Sequence, residues 1–226
     1  DDPDDKATEY LRSGAVDGAI IVSHHTSDAF IDRIAAAMPV VYGGRPVRER
    51  ERDYYVDVDN VEGGRLATQH LIDQGRTRLA TITGPRTMPG GIDRLTGFLE
   101  AVDAAGLTPV AVEDGDFTAA AGAAAVRRIL DAGAEFDGLF AASDLMARGI
   151  LVELARAGLR VPEDVAIVGY DDSPVATSVS PMLTTVRQPS LQQGEVMADV
   201  LLTLLGGGFP PHETLLDTQL VVRESA

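Results

Sequence analysis

The stretch GLFAASDLMARGILVELARAGLRVPEDVAIVGYDD, residues 138–172, reads as one complete strand–helix–strand unit. Two apolar runs, GLFAA (138–142) and VAIVGY (165–170), flank a segment whose apolar residues recur at helical spacing. Ser143 stands where an N-cap belongs, and Gly158 where a left-handed residue closes a helix. The two runs do not alternate apolar with polar residues, so both faces of each strand are expected to be covered. Two strands joined through a helix imply parallel pairing with a right-handed crossover.

The same grammar extends outward in both directions. GAIIV (18–22), PVVY (39–42), YYVDV (54–58), LATIT (79–83) and PVAV (109–112) read as further strands. Segments 60–75 and 91–106 carry helical spacing and end on glycine. The predicted fold class is α/β, with parallel sheets.

Composition narrows the function. A chain of 226 residues with 45% hydrophobic and 24% charged residues has enough apolar content for a folded core. No apolar run reaches the roughly 18–20 residues of a membrane span. Cysteine is absent, which removes disulfides and thiolate chemistry. With 35 acidic against 19 basic residues the net charge is -16, and Lys6 is the only lysine. Non-specific DNA binding rests on cations that neutralise phosphates, so this polypeptide alone is not expected to hold DNA.

In parallel sheets ligands bind beyond the carboxyl ends of strands. The residues there are Ser23-His24-His25, Gly43-Gly44-Arg45, Asp59-Asn60, Gly84-Pro85-Arg86, Glu113 to Phe117, Ser143-Asp144 and Tyr170-Asp171-Asp172. No G-x-S-x-G elbow, dinucleotide fingerprint or P-loop occurs. Adjacent His24 and His25 point in different directions, which disfavours a shared metal; no metal, cofactor or catalytic residue is expected. What remains is a binder: aspartate accepts from hydroxyls, arginine donates from a planar fork, and phenylalanine covers an apolar ring face. Asp171, Arg94 and Phe117 supply those three types at strand ends.

GRTRLATITGP, DRLTGFLEAVDAAGL, GDFTAAAG, the run VPEDVAIVGYDD and the later PMLTTVRQP together carry a specific resemblance. The chain resembles the effector-binding core of LacI-family transcriptional repressors along nearly its whole length. The resemblance implies two α/β subdomains of periplasmic-binding-protein type, joined by crossover strands, with a small effector in the cleft between them. Mapped here, the first subdomain takes residues 1–75 and 188–217, and the second 76–187 and 218–226. LTTVRQP and LLDTQL would be crossovers.

By the same resemblance Arg94 pairs with effector oxygens, Phe117 flanks the ligand and Asp171 is the acidic contact. Asp172 is either a second contact or a cap on the turn that follows. Asp144 is read as a helix cap or ligand residue, and Ser143 stands where many relatives carry asparagine. Asp59 and Asn60 are either cleft residues or a helix start, and His24 follows the first strand. The implied effector is a sugar or sugar derivative first and a nucleobase or nucleoside second.

The implied protein is a cytoplasmic homodimer without enzymatic activity. Operator DNA would be reached only through an N-terminal helix-turn-helix that this sequence does not contain. Relatives also open this core with a strand, a helix and a second strand before the segment matching EYLRSGAVDGAIIV, so a fragment of a longer chain is expected. The alternatives are an exported solute-binding protein and an α/β enzyme acting on a sugar.

Overall fold

The computed structural model describes residues 10–11, 14–22, 33–47 and 53–226. Along the chain run β1 (Ala19–Val22), β2 (Val40–Gly43), β3 (Tyr54–Val58), α1 (Asn60–Asp73), β4 (Leu79–Thr83) and α2 (Pro89–Ala104). There follow β5 (Ala111–Asp114), α3 (Ala119–Asp131), β6 (Gly138–Ala141), α4 (Asp144–Arg156), β7 (Ala166–Asp171) and α5 (Pro174–Ser178). The chain closes with β8 (Thr184–Arg187), α6 (Ser190–Leu205), β9 (Glu213–Leu216) and β10 (Gln219–Val221).

These elements divide into two compact units. One comprises the chain up to Val58 together with Pro189–Leu216; the other comprises Asp59–Gln188 with Asp217–Ala226. The first break falls after Val58, not after residue 75 as the sequence implied. The cause is α1, which packs against α2 and β7 of the second unit.

The smaller unit is a parallel sheet in the order β1-β2-β3-β9. On one face Met197 and Val200 of α6 meet Val41, Val56 and Val58. On the other, Val40, Tyr42 and Tyr55 cluster with Ile34. Alternate residues of β2 therefore serve opposite faces, as a pleated strand requires. Gln193 of α6 donates to the Val56 carbonyl at 2.8 Å, which fixes the helix over the sheet's middle. α6 starts after Pro189 without a side-chain cap, so its sequence lacks the start signal that marks α4.

The larger unit has six strands in the order β10-β8-β7-β6-β4-β5, all parallel except the β10–β8 pair. β4 and β6 are buried at every residue, and β7 at every residue before Asp171. Leu139 and Ile167 face α3 and α4 with Ile129, Met146 and Ile150. Phe140, Val168 and Tyr170 face α1 and α2 with Leu71 and Phe98. Each such large side chain contributes about 1.5–3 kcal/mol on burial. β5 is the sheet edge and runs to Asp114, two residues beyond PVAV. Its polar end is held by the ladder to β4, with Glu113 opposite Ile82 and Asp114 opposite Thr83, and the exposed pairs Glu113–Arg128 and Asp114–Arg86 lie beside it.

Candidate functional site

The parallel strands of the larger unit end together, and their carboxyl-end loops carry an unusual backbone. Among the described residues, the non-glycine residues with positive φ are Phe117 (67°), Asp171 (110°) and Asp172 (52°). A side chain with a Cβ avoids this region, and the strain costs on the order of 1–3 kcal/mol per residue. All three follow or end β5 and β7, at the edge where ligands bind in such sheets.

Arg94 lies on α2, one turn in from its start, and is buried beneath those loops. Its Nε donates to Asn60 Oδ1 at 2.9 Å, Nη1 to the Ala142 carbonyl at 2.7 Å, and Nη2 to Gln188 Oε1 at 3.1 Å. The guanidinium carbon sits 3.6 Å from the centre of the Tyr170 ring and 5.5 Å from that of Phe117. Cation–π attraction in a desolvated setting favours this stacking. Nη1 is also 3.6 Å from Asp171 Oδ1. The three residue types singled out in the sequence thus meet around one guanidinium.

Asp171 reaches solvent further than Arg94 does: 35% of its side chain is exposed, against 9%. Enclosure by protein atoms is the main cause that pushes its carboxyl up to about 6; Arg94 opposes this, and the charge of Asp144 adds to it.

Asp172 points elsewhere. It accepts from Arg187 Nε at 2.7 Å and from Arg223 Nη2. Burial works against its charge, but these two arginines outweigh burial and hold its carboxyl below the ordinary value. It therefore ties the end of β7 to β8 and to the segment after β10. It does not cap the turn at Ser173, where α5 starts without a side-chain cap bond.

Asp144 is not the cap of α4. Ser143 is, accepting from the Met146 amide at 3.2 Å as the sequence suggested. Asp144 is fully buried, and accepts from Thr185 Oγ1 at 2.7 Å, from the Ser173 amide at 2.8 Å and from Ser173 Oγ at 3.1 Å. Burial pushes its carboxyl up, the Thr185 and Ser173 bonds pull it back, and Asp172 adds a like charge. The carboxylate fits because residue 169 is glycine: a Cβ there would lie 2.5 Å from Asp144 Oδ1. Gly84 makes the same kind of room for Phe117, whose ring would be 2.2 Å from a Cβ at position 84.

Asp59 caps α1, accepting from the Glu62 amide at 2.8 Å. His24 lies outside the described residues. Two residues that hold the site, Gln188 and Arg223, carry no signal in the sequence. Tyr170 stands among the strand-end residues there, but the sequence assigns it no role beneath Arg94.

Residues 68–226 match the family described as periplasmic binding protein-like domain. The HTH-type transcriptional regulator CelR of Thermobifida fusca is 46% identical over 221 residues, covering 96% of this chain. This chain spans 65% of that relative's length. A solved complex of transcriptional regulator CelR with cellobiose aligns with a TM-score of 0.94 at 45% identity, covering 99% of this chain and 70% of the other. A LacI family transcriptional regulator from Mycobacterium smegmatis aligns at 0.89 with 33% identity, covering 99% and 83%. Fold and sequence together define a domain of the periplasmic-binding-protein-like class. Within that class, the chain belongs to the LacI family of transcriptional regulators.

Proposed function

We propose that this chain is the effector-sensing part of a LacI-type repressor and that its effector is a sugar, with a glucose disaccharide of the cellobiose type first. The observation that carries this reading is the convergence of Arg94, Asp171 and Phe117 at the strand ends of the larger unit. Asp171 accepts sugar hydroxyls, Arg94 donates to sugar oxygens, and Phe117 lies against the apolar face of a pyranose ring. The likeness to a regulator solved with cellobiose supports the choice of sugar.

In this reading the full-length protein works in the cytoplasm as a homodimer and binds operator DNA through a helix-turn-helix segment. Occupancy of the sugar site changes the DNA affinity, and a tenfold effect in one direction requires a tenfold effect in the other. The strongly negative charge of this chain fits a division of labour in which the DNA contacts lie elsewhere. The sugar is released unchanged. An exported solute-binding protein fits less well, because the chain's relatives are transcriptional regulators.

Titration calorimetry with cellobiose, ribose and adenosine tests the reading. Cellobiose is expected to bind most tightly, and Asp171→Asn and Phe117→Ala each to raise its Kd by about tenfold or more, as loss of a charge-assisted bond or a stacking face implies. Wild-type binding to none of the three, or variants that bind as the wild type does, would overturn it.

A further inference from the structure

An arginine and an aspartate facing one another in a partly buried site ordinarily close into a bidentate pair, with N···O distances of about 2.7–2.9 Å. Arg94 and Asp171 do not. Their nearest atoms are 3.6 Å apart, outside hydrogen-bond range. The guanidinium is instead held at three nitrogens, by Asn60, the Ala142 carbonyl and Gln188, and its carbon lies over the Tyr170 ring. The Ala142 carbonyl is fixed by the backbone of the β6–α4 turn. The two side-chain acceptors come from remote parts of the unit: Asn60 opens α1, and Gln188 follows β8.

We propose that Asn60 and Gln188 are positioning residues that hold Arg94 out of a bidentate pair with Asp171, keeping the carboxylate available to the effector. The inference rests on the reading of Asp171 as an effector contact. A carboxylate already satisfied by two guanidinium N–H groups would have to give up those bonds before accepting a hydroxyl. The strained backbone of Asp171 acts in the same direction, because it sets where the carboxyl points independently of Arg94.

The remaining charges near Asp171 do not take over this role. The Asp144 carboxyl, on α4, is a like charge engaged by Thr185 and Ser173, its backbone amide gives Asp171 a single neutral donor, and Arg187 and Arg223 are engaged by Asp172. The raised carboxyl value of Asp171 agrees with an arginine that is near but not paired.

The test is a carbon-detected NMR titration of the Asp171 carboxyl in the unliganded chain, together with cellobiose calorimetry. In Asn60→Leu/Gln188→Leu the guanidinium is released towards Asp171, and the carboxyl midpoint is expected to fall by about 1–3 pH units, the range for a newly close opposite charge. The cellobiose Kd at neutral pH is expected to rise by about tenfold. Asn60→Leu alone moves both in the same direction by less, and decides the matter if the double variant does not fold. Asn60→Asp retains the acceptor and leaves the midpoint at or above the wild-type value.

A merely structural role would weaken binding without lowering the midpoint. A midpoint that stays or rises in the leucine variants overturns the proposal. If wild-type protein does not bind cellobiose, the effector reading fails, while the titration still decides whether Asn60 and Gln188 hold the two charges apart.

Discussion

Replacing Thr185 by valine keeps the shape of a fully buried residue and removes one hydroxyl. That hydroxyl donates to Asp144 Oδ1 at 2.7 Å and accepts from the Asp172 amide at 3.4 Å, so it stands between both carboxyl-bearing loops. A hydrogen bond to a charged acceptor is worth about 1.5–3 kcal/mol, and here the acceptor cannot turn to water. For a chain of this size that is a fall in Tm of about 3–12 °C.

The deficit should also depend on pH. Asp144 has its native carboxyl value raised above the unfolded one, so its ionisation costs stability as pH rises from about 4 upward. Thr185→Val removes a bond that favours the ionised form, which raises the native value further. The deficit is therefore smallest near pH 4 and widens towards pH 8. Scanning calorimetry of wild type and variant at both values measures it. An unchanged Tm at pH 8, or equal deficits at the two pH values, would refute the assignment of Asp144 as an ionised group held by Thr185.

Two further outcomes follow from the same cluster. Because Asp171 titrates near 6 and must be ionised to accept hydroxyls, the cellobiose Kd is expected to rise about tenfold between pH 7 and pH 5; calorimetry showing a flat Kd over that range contradicts the role given to this carboxyl. Asp172 has its value lowered, so its pairs with Arg187 and Arg223 add stability above about pH 4 that is lost as pH falls through its native value. Asp172→Asn should lower Tm at neutral pH and match the wild type in strong acid, and a deficit that persists in acid would refute the ion-pair account.

The architecture was open to reading because periodicity is local. YYVDV and LATIT coincide with β3 and β4 to the residue, since each is a buried run bounded by polar or glycine residues. PVAV lies two residues ahead of β5 because this edge strand follows its ladder to β4 through polar Glu113 and Asp114, which an apolar run does not mark. The first domain boundary was misplaced because nothing in α1's own sequence says which sheet its buried face covers.

At the site, the residue types and their place at strand ends were legible, since the α/β rule names the edge and Arg94, Phe117 and Asp171 supply the chemistry. The pairings that support them were not. Asn60 is 34 positions from Arg94, Gln188 is 94 away, and Thr185 is 41 from Asp144. Pairings across such separations arise only once the sheet has formed. Gly169 was the one visible trace of the Asp144 carboxylate, and its meaning depended on knowing what lay beside it.

The segment Asp217–Ala226 belongs to the larger unit, although all of Pro189–Leu216 intervenes before it. It supplies β10, and its Ser225 hydroxyl donates to the Ile167 carbonyl of β7 and accepts from the Thr184 amide of β8. During synthesis the ribosome therefore releases the larger unit in two instalments. Until the second emerges, β8 offers an unpaired edge to whatever is nearby, and an exposed edge is a template for wrong partners. The nascent chain must pass through that interval on every round of translation, so the time spent there, more than the finished fold, sets its exposure to misassembly.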